Sequence, residues 1–279
     1  MGKVIVATGR GGAGKSTFAA LASEYLARPK LLIDLDPDES LADMLGIDLM
    51  AEGKKTISSA LYDVIEQNRA AGRTGYDLLS AVMPSVLYKG KEFDFIGLGT
   101  KFTVGCYCAP DAVLKDFIPT LVKDYQEVVV DSPAGLEHFN RKVVVDIDDL
   151  FVILDPSEKS TKHIQRVKDI IKEVKVSYNH LYLVGNHRFT DEAEEYLRST
   201  GETYLGKIDY DPDVRRYNLE GKSLLDLPQD SPAALCVRRI LMKAGYELAK
   251  RSSCLACSSS GSRDSLLFAG IQLPMMCTA

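Results

Sequence analysis

The glycine-rich stretch GRGGAGKST at residues 9–17 constrains this chain more than any other feature. It fits the pattern G-x-x-x-x-G-K-[ST], in which glycines let backbone N–H groups converge on phosphate oxygens without clashes from Cβ atoms. A β-branched run precedes the stretch and helix-forming residues follow it. A phosphate-binding loop requires this strand–loop–helix setting, which disfavours the alternative of a chance match in a glycine-rich turn.

The pattern predicts an ATP site. Lys15 would supply positive charge to the β- and γ-phosphates, and the Ser16 hydroxyl would bind Mg²⁺. The helix that begins at Lys15 would add the positive end of its dipole. The predicted nucleotide-binding residues of the loop are Gly11, Gly12, Ala13, Gly14, Lys15, Ser16 and Thr17.

Short apolar strands alternate with helical segments along the chain, which is typical of a mostly parallel sheet with helices on both faces. The predicted fold class is α/β, a doubly wound P-loop NTPase, with one domain over residues 1–251. The predicted strands are Lys3–Ala7, Leu31–Asp34, Phe93–Leu98, Glu127–Asp131, Leu150–Leu154, Leu181–Gly185 and Tyr204–Ile208. The predicted helices are Lys15–Ala27, Ile57–Ala71, Ala112–Lys123, Ser160–Val174 and Ala233–Arg251.

The last 28 residues, 252–279, differ in composition from the rest. A serine-rich part, SSCLACSSSGSRDS, precedes an apolar part without helical or strand periodicity, and we predict a disordered tail. Cys254 and Cys257 form a C-x-x-C that could bind metal, but no second pair or histidine accompanies it, and an unstructured segment is favoured. No role follows for Cys277.

Composition limits the partners. The net charge of −5 argues against a general nucleic-acid binder. No apolar run reaches the roughly 18 to 20 residues that span a bilayer. The start, MGKVIVATGR, has no signal-peptide pattern. We therefore expect a cytoplasmic protein that acts without nucleic acid or membrane.

The loop also fits G-[KR]-G-G-x-G-K-[ST]. It thereby resembles the deviant Walker A motif of the family that contains nitrogenase iron protein, the Min and Par positioning ATPases and the arsenite-pump ATPase. The resemblance implies an ATP-dependent homodimer that hydrolyses ATP slowly, as a switch, with a second basic residue reaching the partner's phosphates. Arg10 holds that position, where most members have lysine, and arginine can make bidentate phosphate contacts. The alternative is a solvated loop arginine.

The resemblance gives catalytic roles to two carboxylates besides Lys15 and Arg10. Asp36, in LLIDLDPDES, lies where the first switch of the family begins and would orient the attacking water or contact the magnesium shell. Pro37 indicates that the strand has ended by then, so a turn-forming Asp is the alternative. Asp131, in VVVDSPAG, matches the Walker B position and would hold Mg²⁺ through water, while Gly135 would let the second switch move.

Asn186 follows a predicted strand in LYLVGN. In the family that Asn hydrogen-bonds the adenine, and IDYDPDV resembles the segment on the other side of the base. A plain turn residue is the alternative.

Cys106 and Cys108 form a C-x-C pair in VGCYCAPD, between a predicted strand and a predicted helix. Two thiolates make half of a tetrahedral metal site, and a symmetric dimer would supply the other half from its second pair. This predicts one soft or borderline metal ion shared at the two-fold axis of the dimer. Two small apolar residues in a turn are the alternative.

GCYCAPD before a helix, the deviant Walker A motif and DSPAGLEHFNRK together resemble the CooC-type ATPases. These are accessory proteins of carbon monoxide dehydrogenase and acetyl-CoA synthase, implicated in nickel insertion. The resemblance covers about residues 1–250 and implies a dimerising metallochaperone that delivers nickel to such a client. In such proteins the paired cysteines bind Ni²⁺ or Zn²⁺ at the dimer interface, a role that the resemblance gives here to Cys106 and Cys108. It also matches Glu137 and His138 to an acidic–His pair. A structural or switch role is favoured for His138, and a direct metal role is the alternative.

Two other functions remain open at this point. One is a Min- or Par-like positioning ATPase, which would use a membrane-targeting helix or a basic patch. The other is an iron–sulfur ATPase resembling nitrogenase iron protein, although its cluster ligands come from two separated segments rather than one C-x-C.

Overall fold

The computed structural model describes residues 2–66, 75–100, 115, 118–135, 137–140, 144 and 146–249. The Cys106–Cys108 pair and the predicted tail at 252–279 lie outside these residues. Within the described ranges no helix is both long and apolar enough to cross a bilayer.

Eight strands form one sheet in the order β3-β4-β2-β5-β1-β6-β7-β8. All neighbours are parallel except β3, which pairs antiparallel with β4 at one edge. This arrangement confirms the predicted fold class. The strands are β1 (Lys3–Gly9), β2 (Lys30–Asp34), β3 (Tyr88–Lys89), β4 (Asp94–Gly97), β5 (Glu127–Asp131), β6 (Asp146–Leu154), β7 (Ser177–Gly185) and β8 (Thr203–Lys207).

Helices cover both faces of the sheet. The named helices of the described residues are α1 (Lys15–Tyr25), α2 (Ser40–Leu45), α3 (Ile57–Glu66), α4 (Gly75–Val86), α5 (Glu137–Asn140), α6 (Glu158–Val174), α7 (Asp191–Ser199), α8 (Pro212–Glu220) and α9 (Pro232–Lys243). Residues 118–121 are also helical and continue into a 3₁₀ turn, Val122–Asp124. The rest of the predicted helix Ala112–Lys123 lies largely outside the described residues.

The central strand β1 separates two hydrophobic cores. Successive side chains of a strand point to opposite faces, so Val4 and Val6 pack into one core while Ile5 and Ala7 pack into the other. The first core includes side chains of α3 and α6, and the second includes side chains of α1 and α9. Burial on both faces explains why the central strands are continuous apolar runs rather than alternating ones.

The predicted last helix, Ala233–Arg251, is too long, because α9 ends at Lys243. At this end the N–H of Gly245 bonds back to Met242 O at 3.1 Å, and Gly245 adopts a positive φ of 85°. Helix α1 likewise ends at Tyr25 rather than Ala27. Helices commonly end at a glycine with positive φ, and Gly245 was the residue in the sequence that indicated this end.

Candidate functional site

The glycine-rich loop lies at the carboxyl end of β1, between Gly9 and the first residue of α1, Lys15. Gly9 has a φ of 153°, and a Cβ atom there would lie 2.3 Å from the carbonyl oxygen of Ile153 on β6. Only glycine allows the two parallel backbones to pass this closely at the start of the loop. The first glycine of the motif is therefore required for sheet packing.

We expect Gly9→Ala to lower the free energy of unfolding by about 2–4 kcal/mol, through this clash and the strained φ. Gly11→Ala is the matched control, because its Cβ would meet only Ala134 Cβ, at an ordinary 3.6 Å, and its φ lies outside the positive range that strains other residues. Urea unfolding of the nucleotide-free chain measures both changes. Equal stabilities of the two variants would contradict the packing argument.

The N-terminus of α1 is open to an anion. Gly14, its capping residue, has a φ of 103° and provides no side-chain cap, and the first turn contains no acidic residue. The first N–H groups of a helix lack partners within the helix and favour negative charge. Helix α1 therefore presents free donors and a positive dipole end at the loop.

Lys15 is 6% exposed, and its ammonium donates to the carbonyl oxygen of Arg10 at 3.3 Å. It thus lies across the loop rather than pairing with a carboxylate in the described residues. A lysine folded over a ring of backbone N–H groups places positive charge where a phosphate would sit.

Two carboxylates end neighbouring strands beside the loop. Asp131 ends β5, Asp34 ends β2, and the two residues are direct partners in the parallel ladder. Both are fully buried. Burial raises the pKa of Asp34 well above its usual range, and the Asp131 charge adds to this effect.

Asp131 has a further property. Neither of its oxygens has a hydrogen-bond partner of normal geometry among the described residues. Burial raises its pKa to about 7, against the opposing effects of the Ser16 hydroxyl and the Lys15 ammonium. A buried carboxylate without a hydrogen bond of normal geometry is costly, and a hydrated divalent cation beside Ser16 would supply the missing positive charge. The site therefore fits Mg²⁺ together with a phosphate chain.

Asp34 does carry hydrogen bonds, and they shape the loop after β2. One oxygen accepts from the N–H of Asp36 at 2.9 Å, and the other accepts from the N–H of Leu41 at 2.9 Å at the start of α2. Asp36 lies in this loop, half-buried, and accepts from the N–H of Asp38 at 3.1 Å. The strand thus ends before Asp36, as Pro37 indicates.

The Arg10 side chain contacts residues of its own chain that follow β6. Its guanidinium donates to Ser157 Oγ at 3.1 Å and to Asp155 Oδ2 at 3.4 Å, just beyond the end of β6. The side chain is 36% exposed and has these two partners, so Arg10 is not the fully solvated loop arginine of the alternative. Asp155 and Ser157 were not predicted as part of the site, and no motif marks them in the sequence.

Asn186 directly follows β7 and is 4% exposed. Its side-chain oxygen accepts from the N–H of Arg188 at 3.0 Å, whereas its Nδ2 has no partner among the described residues. A buried amide donor without a partner fits the edge of a heterocyclic base.

The structure thus brings together the loop, Asp34, Asp36, Asp131 and Arg10 at the carboxyl ends of the central strands, with Asn186 two strands away from β1. Ligands of open α/β sheets bind at this edge. Asp34 was missed as a site residue, although LLID and VVVD show the same pattern of an apolar strand ending in a carboxylate. Cys106 and Cys108 lie outside the described residues.

Solved structures share this fold. MinD from Pyrococcus horikoshii complexed with Mg-ADP matches with a TM-score of 0.63 and 19% identity, covering 88% of this chain and 96% of that one. The Cyanothece McdA(D38A)–ATP complex matches with a TM-score of 0.64 and 15% identity, covering 88% and 97%. At these identities the likeness shows the fold alone.

Sequence relatives extend along most of the chain. An uncharacterized ATP-binding protein of Methanocaldococcus jannaschii is 30% identical over 250 residues, which cover 86% of this chain and 97% of that protein. The carbon monoxide dehydrogenase accessory protein CooC of Rhodospirillum rubrum is 24% identical over 259 residues, covering 87% and 96%. Residues 1–182 match the family AAA_31, described as an AAA domain. The chain therefore belongs to the AAA_31 family of P-loop ATPases, and CooC and MinD are among its sequence relatives.

Proposed function

We propose that this ATPase is a dimerising metallochaperone that delivers nickel to a client of the carbon monoxide dehydrogenase/acetyl-CoA synthase type. The observation that carries the proposal is the match to CooC, which extends over 87% of this chain and 96% of that protein. The cysteine pair at 106 and 108 supplies the thiolates that such a function needs.

In the proposed site, the loop and Lys15 hold the phosphates of ATP, and the Nδ2 group of Asn186 donates to the adenine. Ser16 and Asp131 would hold Mg²⁺, which would satisfy the unpaired carboxylate and supply positive charge to the phosphates. Asp36 orients the attacking water. Phosphoryl transfer depends on such placement and on electrostatic stabilisation rather than on covalent chemistry by the protein.

Arg10 would act between two copies of the chain, as MinD, ParA and CooC relatives typically dimerise. On dimerisation its guanidinium would exchange Asp155 and Ser157 for phosphate oxygens of the partner's nucleotide. Phosphate is the stronger partner, because the Asp155 contact is long and part-exposed. ATP would thereby close the dimer, and hydrolysis would open it.

The metal enters this cycle through the cysteine pairs of both copies. Closing the dimer would bring four thiolates together around one Ni²⁺ or Zn²⁺ ion. Metal would bind the closed state more tightly, and opening after hydrolysis would release it to the client. Differential affinity for two states is the physical basis of such coupling.

Elemental analysis combined with sizing tests the metal role. Wild type with ATPγS, an ATP analogue that is hydrolysed slowly, should form a dimer with about one nickel or zinc ion per two chains. Cys106→Ser/Cys108→Ser should lose the metal. Cys254→Ser/Cys257→Ser is the matched control and should keep it. Retention of one tightly bound metal per dimer in the Cys106/Cys108 variant would overturn the proposal.

A second candidate is a Min-like positioning ATPase. It is favoured by the septum site-determining protein MinD of Bacillus subtilis, which is 24% identical over 257 residues and covers 86% of this chain. ATP-dependent cosedimentation with anionic lipid vesicles or with DNA, in the absence of metal binding, would support this candidate instead.

A further inference from the structure

His138 is a buried imidazole without a hydrogen-bond partner. It lies on the short helix α5, which follows β5 and Gly135, and it is 5% exposed. Both ring nitrogens are buried, and neither has a partner among the described residues. Buried side-chain nitrogens are nearly always hydrogen-bonded, so two unpaired ones on a single ring require an explanation.

The surroundings of His138 connect it to the phosphate loop. Burial lowers the pKa of His138 to about 3, and the charge of the Lys15 ammonium in the phosphate loop adds to this effect. Burial is the larger cause, and His163 on α6 adds to it. The imidazole is therefore neutral and carries one N–H donor and one acceptor nitrogen.

The order of strands indicates which end of a nucleotide His138 would face. β1 and its loop lie between β5 on one side and β6 and β7 on the other. Asn186, proposed to hold the base, follows β7, so the phosphate chain would extend across β1 toward β5. α5 comes directly after β5 and Asp131. His138 is consequently on the side of the terminal phosphate.

We infer that His138 is a positioning residue that senses the γ-phosphate: its N–H donates a hydrogen bond when ATP is bound and has no acceptor when ADP is bound. The empty state then carries an unpaired buried donor, whose cost is relieved only by the triphosphate. Since His138 follows the Asp131 segment, this bond would draw that segment toward the nucleotide. The inference rests on the proposed placement of the phosphates at Lys15.

Binding measurements test this role. His138→Phe keeps a ring of similar size but removes the donor. Fluorescence titration with Mg²⁺ should show ATPγS binding weakened about 10- to 100-fold, and ADP binding changed by less than about twofold. His138→Gln retains a donor and should restore much of the preference for ATPγS. His180→Phe, on β7 and five residues before its end, is the control and should change neither affinity.

Thermal unfolding separates this role from a structural one. Without nucleotide, His138→Phe should melt about 2–4 °C higher than wild type, because an unpaired buried polar ring becomes apolar. If His138 only supported packing, His138→Phe would instead melt at a lower temperature than wild type. Lower stability together with an unchanged ratio of ATPγS to ADP affinity would overturn the inference.

Ring ¹⁵N spectra of wild type provide a measurement that does not depend on the folding of His138→Phe. The His138 signal is identified as the one that is missing from the spectrum of His138→Gln. ATPγS should shift the His138 ring signals and ADP should leave them near their nucleotide-free positions. Equal spectra with both nucleotides would contradict the inference. If wild type binds neither nucleotide, the proposed ATP site fails as well, which distinguishes the two failures.

Discussion

Replacing Lys15 with alanine is expected to weaken Mg-ATP binding by about 100-fold or more and to reduce ATP hydrolysis to background. The ammonium is almost fully buried, and its hydrogen bond in the described residues is a long one to the Arg10 carbonyl. This partner is a neutral carbonyl and not an anion, so the positive charge of the ammonium remains available to the phosphates. Removing it leaves the loop backbone, which alone holds a phosphate chain weakly.

Titration with a fluorescent ATP analogue and phosphate release measure these two effects. Lys172→Ala, an exposed lysine near the end of α6, removes the same charge away from the site and should leave both values unchanged. The melting temperature of Lys15→Ala should stay close to that of wild type, because a buried charge is removed together with its contact. Binding of ATP by Lys15→Ala within threefold of wild type would contradict the proposed role.

Asp131→Asn is expected to have two opposite effects. ATP hydrolysis should fall about 10- to 100-fold, the usual loss when an outer-shell partner of a metal is removed. The nucleotide-free chain should become more stable above pH 7, because its carboxylate is fully buried and without a hydrogen-bond partner in the described residues. Stability gained at the expense of activity is common at functional sites.

The sign of the pH dependence follows from the direction of the shift. Burial raises the folded-state pKa of Asp131 to about 7, so the folded chain binds this proton more tightly than the unfolded chain. Ionisation of the buried group therefore lowers the free energy of unfolding above pH 7. This loss disappears as the pH falls toward the usual pKa of an Asp, about 4. Asp131→Asn should therefore raise the melting temperature by several degrees at pH 8 and by much less at pH 5.

Thermal unfolding without Mg²⁺ or nucleotide measures this difference. Asp38→Asn changes the same formal charge on an exposed side chain and should show no comparable gap between the two pH values. If Asp131→Asn and wild type melt together at both pH values, the ionised carboxylate is not a cost to the fold. Hydrolysis at the wild-type rate would separately remove Asp131 from the proposed magnesium site.

The sequence predicted the parts of this molecule that depend on residues close to one another along the chain. The glycine-rich loop needs glycines at fixed spacing, and the strand Glu127–Asp131 is a short apolar run with a carboxylate at its end, so both were recognised with their limits. Contacts between distant residues were not predicted. Arg10 meets Ser157 across 147 positions, and only the pairing of β1 with β6 brings them together.

Three of the helices that were missed, α4, α7 and α8, bury few apolar side chains or contain a misleading residue. α8 has no buried residue, and α7 buries Leu197 alone among its described side chains. α4 contains Pro84, which normally ends a helix. Helices α7 and α8 instead carry side-chain caps, Thr190 and Asp211, and caps are weaker signals in a sequence.

The loop that carries Asp36 is fastened at two points to the chain that leaves β4. The Leu98 N–H donates to Asp34 O at 2.8 Å, and Thr100 Oγ1 donates to Pro37 O at 2.9 Å. Thr100 is six residues before Cys106. In the proposed cycle, a movement of this loop on nucleotide binding would therefore be passed on to Leu98 and Thr100. Because binding free energies are reciprocal, a metal that binds the proposed ATP-loaded dimer α-fold more tightly must strengthen ATP binding by the same factor.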